Sequence, residues 1–247
     1  MIKLFKNIRR KLLAENRFNK YLLYAIGEII LVMIGILLAL QVNNWNTTRL
    51  LKSKEQVYLK QIRISLIGDL ERIKEVKEFN ALKASKIDST FMMFEKTSNP
   101  EKYVPTIVNH MYVMNEFDVF EPNTIAFENM ITSENIDLIT NMELRNNLSQ
   151  YYQRNFVNST QERVKEKTRQ FVDDISPKIG NRQLLKQFRL RDSHLPNISE
   201  VNIHSDKQVY SNLIIMDLSI DGQNKLLDTT AEEIRRLLDL IDNNLKS

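Results

Sequence analysis

The sequence predicts an all-α protein, with an N-terminal transmembrane helix followed by a domain of long helices packed as an antiparallel bundle. Three observations lead there. Glycine and proline number five each in 247 residues, about 2% apiece against an average usage of roughly 7% and 5%, too few for a turn-rich all-β fold. Residues 21–40 form an apolar run broken by one acid. Beyond it, apolar residues return at steps of three and four over long stretches, the period of a helix with one buried face.

The first segment, 1–20, carries Lys3, Lys6, Arg9, Arg10, Lys11, Arg17 and Lys20 against Glu15 alone. It can wind into a basic amphipathic helix with Leu4, Phe5, Ile8, Leu12 and Leu13 toward lipid, suited to anionic inner-leaflet headgroups. The run YLLYAIGEIILVMIGILLAL follows, and at about 1.5 Å per residue it covers the roughly 30 Å of a bilayer core. Tyr21 and Tyr24 at one end and Trp45 at the other suit the two headgroup regions, which sets a transmembrane helix at 21–42. Seven basic residues precede it and four (Arg49, Lys52, Lys54, Lys60) occupy positions 42–61. The positive-inside rule therefore puts the N-terminus in the cytoplasm and the rest of the chain across the membrane. A cleaved signal peptide shares the basic start, but its apolar region is shorter, roughly 7–15 residues, and ends in an A-x-A-like site. Here the run ends Ala39-Leu40-Gln41-Val42-Asn43, so an uncleaved signal anchor is expected.

Glu28 lies inside the span, on one helical face with Gly35 and Ala39, whose small-xxx-small spacing permits close helix contact. Two readings stay open: a neutral Glu28 hydrogen-bonded to a partner helix or a second copy, or a Glu28 that snorkels toward the cytoplasmic headgroups.

The domain 43–247 begins with a helix whose stripe is Leu59, Ile62, Leu66, Ile73 and Val76, widened by Ile67, Leu70 and Phe79. Gly68 is its weak point, and Asp69 interrupts a strict seam. Thr97-Ser98-Asn99-Pro100 should end this helix and Pro105 close the turn, with 106–119 ambiguous. Asn123-Thr124 after Pro122, and Asn141 before Glu143, announce two helix starts. From Leu144 the pattern runs through Leu148, Tyr151 or Tyr152, Phe156, Thr160, Val164, Phe171 and Ile175 to a stop at Pro177 and Gly180, which predicts one helix of about 35 residues. A long connection is expected at 178–205. A last helical block follows from Val209 to Leu245, with a possible break at Asp221-Gly222.

Residue chemistry excludes more than it suggests. With no cysteine, disulfides, thiolate zinc sites and cysteine nucleophiles are ruled out. His110, His194 and His204 have no metal-ligand spacing, so no metal is expected. No phosphate-binding glycine loop or nucleophile elbow occurs, and the three glycines beyond the span leave no room for one. No cofactor or catalytic activity is therefore expected. The net charge of +4 sits in the first 45 residues, which carry +5, leaving −1 beyond them. No basic stripe with interleaved aromatics remains there for nucleic acid. The stretch Pro122–Tyr152 admits two readings: a helix-turn-helix corner with ordinary capping residues, or a partner or anion site at the helix starts Asn123, Thr124 and Asn141.

The anchor YLLYAIGEIILVMIGILLALQVNNWN and the segment FEPNTIAFENMITSENIDLITNMELRNNLSQYY resemble an uncharacterised family of single-pass membrane proteins found chiefly in Bacteroidota. The resemblance is most specific at Gly27-Glu28, Gly35-Ile36, Asn43-Asn44-Trp45-Asn46 and from Asn123 to Tyr152. It implies an inner-membrane protein with a helical periplasmic domain, and it brings no catalytic residue. Where such members often carry a glycine between the two short helical pieces, this chain has Thr132-Ser133-Glu134-Asn135. The expected role is a structural or interaction protein of the envelope, touching the bilayer and an envelope protein or a second copy. The alternative is a ligand-sensing module that signals through a partner, since residues 1–20 are too short to be an output domain.

Overall fold

A computed structural model describes residues 18–96, 104–156, 159–179 and 203–246. Among these there are six α-helices and no strand: α1 (Phe18–Lys96), α2 (Val104–Met114), α3 (Ile125–Thr132), α4 (Met142–Gln153), α5 (Thr160–Ile179) and α6 (Lys207–Lys246), with 3₁₀ turns at Ile136–Leu138 and Ile203–Ser205. The all-α class is as the sequence predicts. Most of the basic segment, the stretch 97–103 and most of the long connection, His194 included, fall outside the described residues. The chain divides into two units, Met1–Val57 and Tyr58–Ser247.

In the first unit α1 is apolar on every side from Leu22 to Leu40 apart from Glu28, and none of that stretch is buried. Among the described residues this is the one helix long and apolar enough to cross a membrane. Helicity persists through the poor helix formers Asn43–Thr48, where the Thr47 and Thr48 hydroxyls donate to the carbonyls of Asn43 and Asn44 at 3.0 and 2.9 Å.

In the second unit the pattern of α1 becomes strictly periodic. Leu59, Ile62, Leu66, Asp69, Ile73, Val76, Asn80, Lys83, Ile87, Thr90 and Phe94 are all buried at alternating steps of three and four, the seam of a helix packed by knobs into holes. On α6 the same spacing joins Val209, Leu213, Met216, Ile220, Gln223, Leu227, Thr230, Ile234, Leu237 and Ile241, and on α5 it joins Gln161, Val164, Thr168, Phe171 and Ile175. The pairing of α1 with α6 is antiparallel: Arg63 bonds Asp242 at 2.7 Å, Lys77 pairs with Asp228, and Asn80 bonds Asn224 at 2.9 Å, so numbers rise on one helix as they fall on the other. α5 also runs antiparallel to α6, with Asn212 donating to Asp174 at 2.8 Å and Gln223 to Gln161 at 3.2 Å. The apolar core forms two clusters. One gathers Leu59–Val76 of α1 with α3, α4, Phe120 and the C-terminal half of α6, and the other gathers Ile87 and Phe94 with α2, α5 and the N-terminal half of α6. Asn80 and Lys83 of α1 and Gln223 of α6 fall between the two.

Several sequence expectations need correction. The single helix of about 35 residues is two, α4 and α5, because the chain leaves the helix at Arg154 to turn Phe156 inward, edge-on to Phe120 at 5.3 Å. Thr160 is exposed and Gln161 takes the core position instead. Pro177 lies inside α5 near its end. Pro105 does not close a turn but sits in the first turn of α2, where a missing N–H costs nothing. The stretch 106–119 resolves into α2 and then a segment without regular structure from Glu116 to Thr124. Asp221-Gly222 does not break α6; a Cβ at Gly222 would lie 2.9 Å from the Thr160 methyl, so glycine there permits α5 to approach closely. Ile67 is exposed rather than part of the stripe, and Gly68 leaves α1 unbroken.

Candidate functional site

A heptad core accepts a polar side chain only where hydrogen-bonding partners replace water. In the second unit those partners come mainly from one stretch of backbone, the strap Asn115–Thr124 that joins α2 to α3. Lacking a helix or a ladder of its own, the strap has its main-chain groups met by side chains. Lys83 donates to the Glu116 carbonyl at 2.6 Å, Gln223 to the Asp118 carbonyl at 2.9 Å and Arg72 to the Val119 carbonyl at 3.1 Å. Gln161 serves Phe120 twice, accepting from its N–H at 2.7 Å and donating to its carbonyl at 2.9 Å. The Asn123 N–H donates to Asp69 Oδ1 at 2.8 Å. Arg72 also pairs with Asp118. The polar residues on α1, α5 and α6 thus form a cradle for a segment that lies along the bundle and is anchored in it by the buried Phe120.

Within this cradle two ionisable groups stand out. The Asp69 carboxylate is 2% exposed and accepts from the Tyr151 hydroxyl at 2.8 Å as well as from Asn123. Burial raises its pKa, and the two hydrogen bonds oppose that shift. Burial, together with the neighbouring carboxylate, pushes the Tyr151 hydroxyl well up. The Lys83 side chain is fully buried, and besides Glu116 it donates to Thr168 Oγ1 at 2.6 Å. Burial lowers this amine to about 7 against the opposing attraction of the Glu116 carboxylate. Further along α1, the Thr90 hydroxyl lies 3.1 Å from His110 Nδ1, and burial first, then the charge of Lys86, lowers the pKa of that ring.

The Asn123–Tyr152 corner is built from α3, a 3₁₀ turn and α4. Asn141 caps α4, its side chain accepting from the Leu144 N–H at 3.1 Å. The Asn123 side chain accepts from the Ile125 N–H at 3.3 Å, whereas Thr124, at the N-cap of α3, makes no side-chain capping bond. The turn after α3 is tight without a glycine. Glu134 takes φ 56°, its N–H donates to Ile131 O at 2.9 Å, and the Asn135 N–H donates to Met130 O at 3.0 Å, a Schellman closure. Asn135 then donates through its side chain to the Tyr58 hydroxyl at 3.0 Å.

Of the residues singled out from sequence, Asn123 joins the Asp69 cradle, and Asn141 begins the helix that delivers Tyr151. Glu28, Gly35 and Ala39 lie in the other unit. Glu28 is half-buried, Gly35 and Ala39 are exposed, and a Cβ on Gly35 would meet nothing within 4 Å. Lys83, Asn80, Gln161 and Gln223 escaped sequence reasoning, although their places at heptad positions were a usable signal. Among the described residues no cluster of three or more His, Asp or Glu side chains is placed to hold a metal. A surface groove of about 310 Å³ between α4 and α6 is lined by Asn147, Thr229, Glu232, Glu233, Arg236 and Leu237.

Fold and site together define an all-α protein with, among the described residues, one candidate membrane helix and a helical bundle held to a side-chain-bonded strap. The chain belongs to a family of unknown function, DUF6090, which it matches over residues 28–186. That span takes in most of α1, the strap, the corner and α5, and leaves out α6, the helix that completes the core. No curated protein and no solved structure matches the chain.

Proposed function

We propose that this is a single-pass protein of the inner membrane, N-terminus in the cytoplasm and helical unit in the periplasm, that serves as a structural or interaction component of the envelope and carries no catalysis of its own. The observation that carries the reading is the stretch Leu22–Leu40, apolar on nearly all sides and unburied, which in water would be an unusually large exposed apolar surface. The basic excess before it supports the orientation, and its Arg and Lys side chains suit anionic inner-leaflet lipids. The domain limits follow: 1–20 cytoplasmic, 21–42 in the bilayer, 43–247 beyond it. The sequence carries no metal-ligand histidine spacing, phosphate-binding glycine loop or nucleophile elbow, which supports a non-enzymatic role. The partner is an envelope protein or a second copy, met in the membrane along Glu28, Gly35 and Ala39, and nucleic acid is not among the partners.

The test combines a C-terminal alkaline phosphatase fusion, expected to be active, with crosslinking of the native membrane protein. Loss of one crosslinked species in Glu28→Leu and Gly35→Leu supports the helix contact, and unchanged species in both sink it. An inactive phosphatase fusion would reverse the orientation. The groove between α4 and α6, with Glu232 and Arg236 in its lining, favours a second reading, a periplasmic sensing module that signals through a partner protein. Protection of Arg236 from dicarbonyl labelling and of Glu232 from carbodiimide labelling by a periplasmic extract would support that reading.

A further inference from the structure

We propose that Lys83 is a proton-controlled latch: as a neutral amine it holds the strap Asn115–Thr124 against the core, and proton uptake by this amine loosens the strap. The geometry counts in favour of the neutral form. Lys83 is fully buried and Nζ makes two hydrogen bonds, both at 2.6 Å, one to the Glu116 carbonyl of the strap and one to Thr168 Oγ1 of α5. Two acceptors match the two N–H groups of a neutral amine, and the third N–H of an ammonium would enter the core without a bond. Among the described residues no carboxylate lies within ion-pair distance of Nζ, so a buried positive charge there would lack the partner such charges need.

The charged groups on the surrounding elements do not supply one. On α1 the next turn brings Lys86, whose charge acts on His110. The strap brings the Glu116 carboxylate, which attracts Lys83 too weakly to offset burial. On α5, Lys165 pairs with Glu162 and Arg169 lies over the Phe117 ring. The Thr168 hydroxyl meets the neutral Met216 of α6, and beside Met216 the carboxylate of Asp217 stands with Asp221 of α6 and Asp88 of α1. Because burial takes the amine from 10.5 to about 7, a loosened form with Lys83 in water binds one more proton across that interval. Opening therefore becomes about tenfold rarer for each pH unit gained above neutrality, and it reaches its highest, constant level below pH 7.

The test uses the full-length protein in lipid nanodiscs. Hydrogen exchange at the Phe120 and Asn123 amides, corrected for intrinsic rates at each pH, should show protection rising about tenfold per unit from pH 7.5 to 9.5 in wild type and flat in Lys83→Met. A flat wild-type profile, or an equal slope in Lys83→Met, overturns the latch. Should Lys83→Met fail to fold, the ¹³Cε resonance of Lys83 in the wild-type protein decides: a titration midpoint near neutral supports the proposal, and one above 10 ends it.

Discussion

Asp69 and Lys83 stand two heptads apart on the same face of α1, and the core treats them differently. Around Asp69 both partners are donors, the Asn123 N–H and the Tyr151 hydroxyl, and these favour the carboxylate against the pull of burial. Around Lys83 the partners are two neutral oxygens that a discharged amine satisfies as fully as it needs. Burial pushes both groups toward their neutral forms, but at Asp69 two donors oppose that push, whereas at Lys83 no hydrogen-bond partner does. The contrast teaches that a polar seam position is defined by the count and kind of its partners rather than by the sign of the residue.

Changes that strip the Asp69 side of its donors should have the largest effect. Tyr151→Ala removes a fully buried ring and leaves Asp69 with one donor, and should cost about 3–5 kcal/mol in urea unfolding. Asp69→Leu strands the Asn123 N–H and the Tyr151 hydroxyl and should cost about 2–3 kcal/mol, whereas Asp69→Asn, which keeps an acceptor for Asn123, should cost about 1 kcal/mol. The pH dependence sharpens the contrast. The Asp69 pKa is raised on folding, so the stability it contributes is present below the ordinary carboxyl range and falls as pH rises through the folded value. The Lys83 contribution instead grows with pH, from about 7 to 10.5. Differences between wild type and Asp69→Asn, and between wild type and Lys83→Met, plotted against pH, should slope in opposite directions. Equal slopes would break the comparison.

Two smaller changes probe the surroundings of each layer. In the Asp69 corner, Glu134→Gly relieves a left-handed residue and should raise stability by about 1 kcal/mol. Beside Gln223, Gly222→Ala sets a gain in helix propensity against the Thr160 methyl, and the net change should stay within about 0.5 kcal/mol of zero. Combining it with Thr160→Ser should recover the gain, and chemical denaturation reads both.

The all-α class, the apolar stretch and the seam Leu59–Val76 were legible because each is a matter of apolar spacing. Asp69 was visible as an interruption but not as an acceptor, since its donors lie 54 and 82 residues away in sequence. Lys83 was hidden for the same reason: a lysine in a helix-forming stretch reads as a solvated face unless the heptad is continued through it. The break between α4 and α5 escaped because Phe156 preserves the three-and-four rhythm while the backbone turns. At Glu134 the fold overrides local preference, holding through the hydrogen bonds of a Schellman closure a conformation that glycine would adopt at lower cost. Asn123 and Asn141 did reveal themselves as helix-start residues, because capping depends on immediate neighbours.

The strap also bears on the mechanics of α1. A seam of apolar residues alone would fit equally well after sliding by one heptad, since each layer would meet another like it. The pins at Asp69 and Lys83 remove that freedom. Shifting α1 along its axis by one heptad, about 10.5 Å, would pull Lys83 from Glu116 and Asp69 from Asn123 together. Within the second unit, then, a piston stroke of α1 would require the strap to come away first.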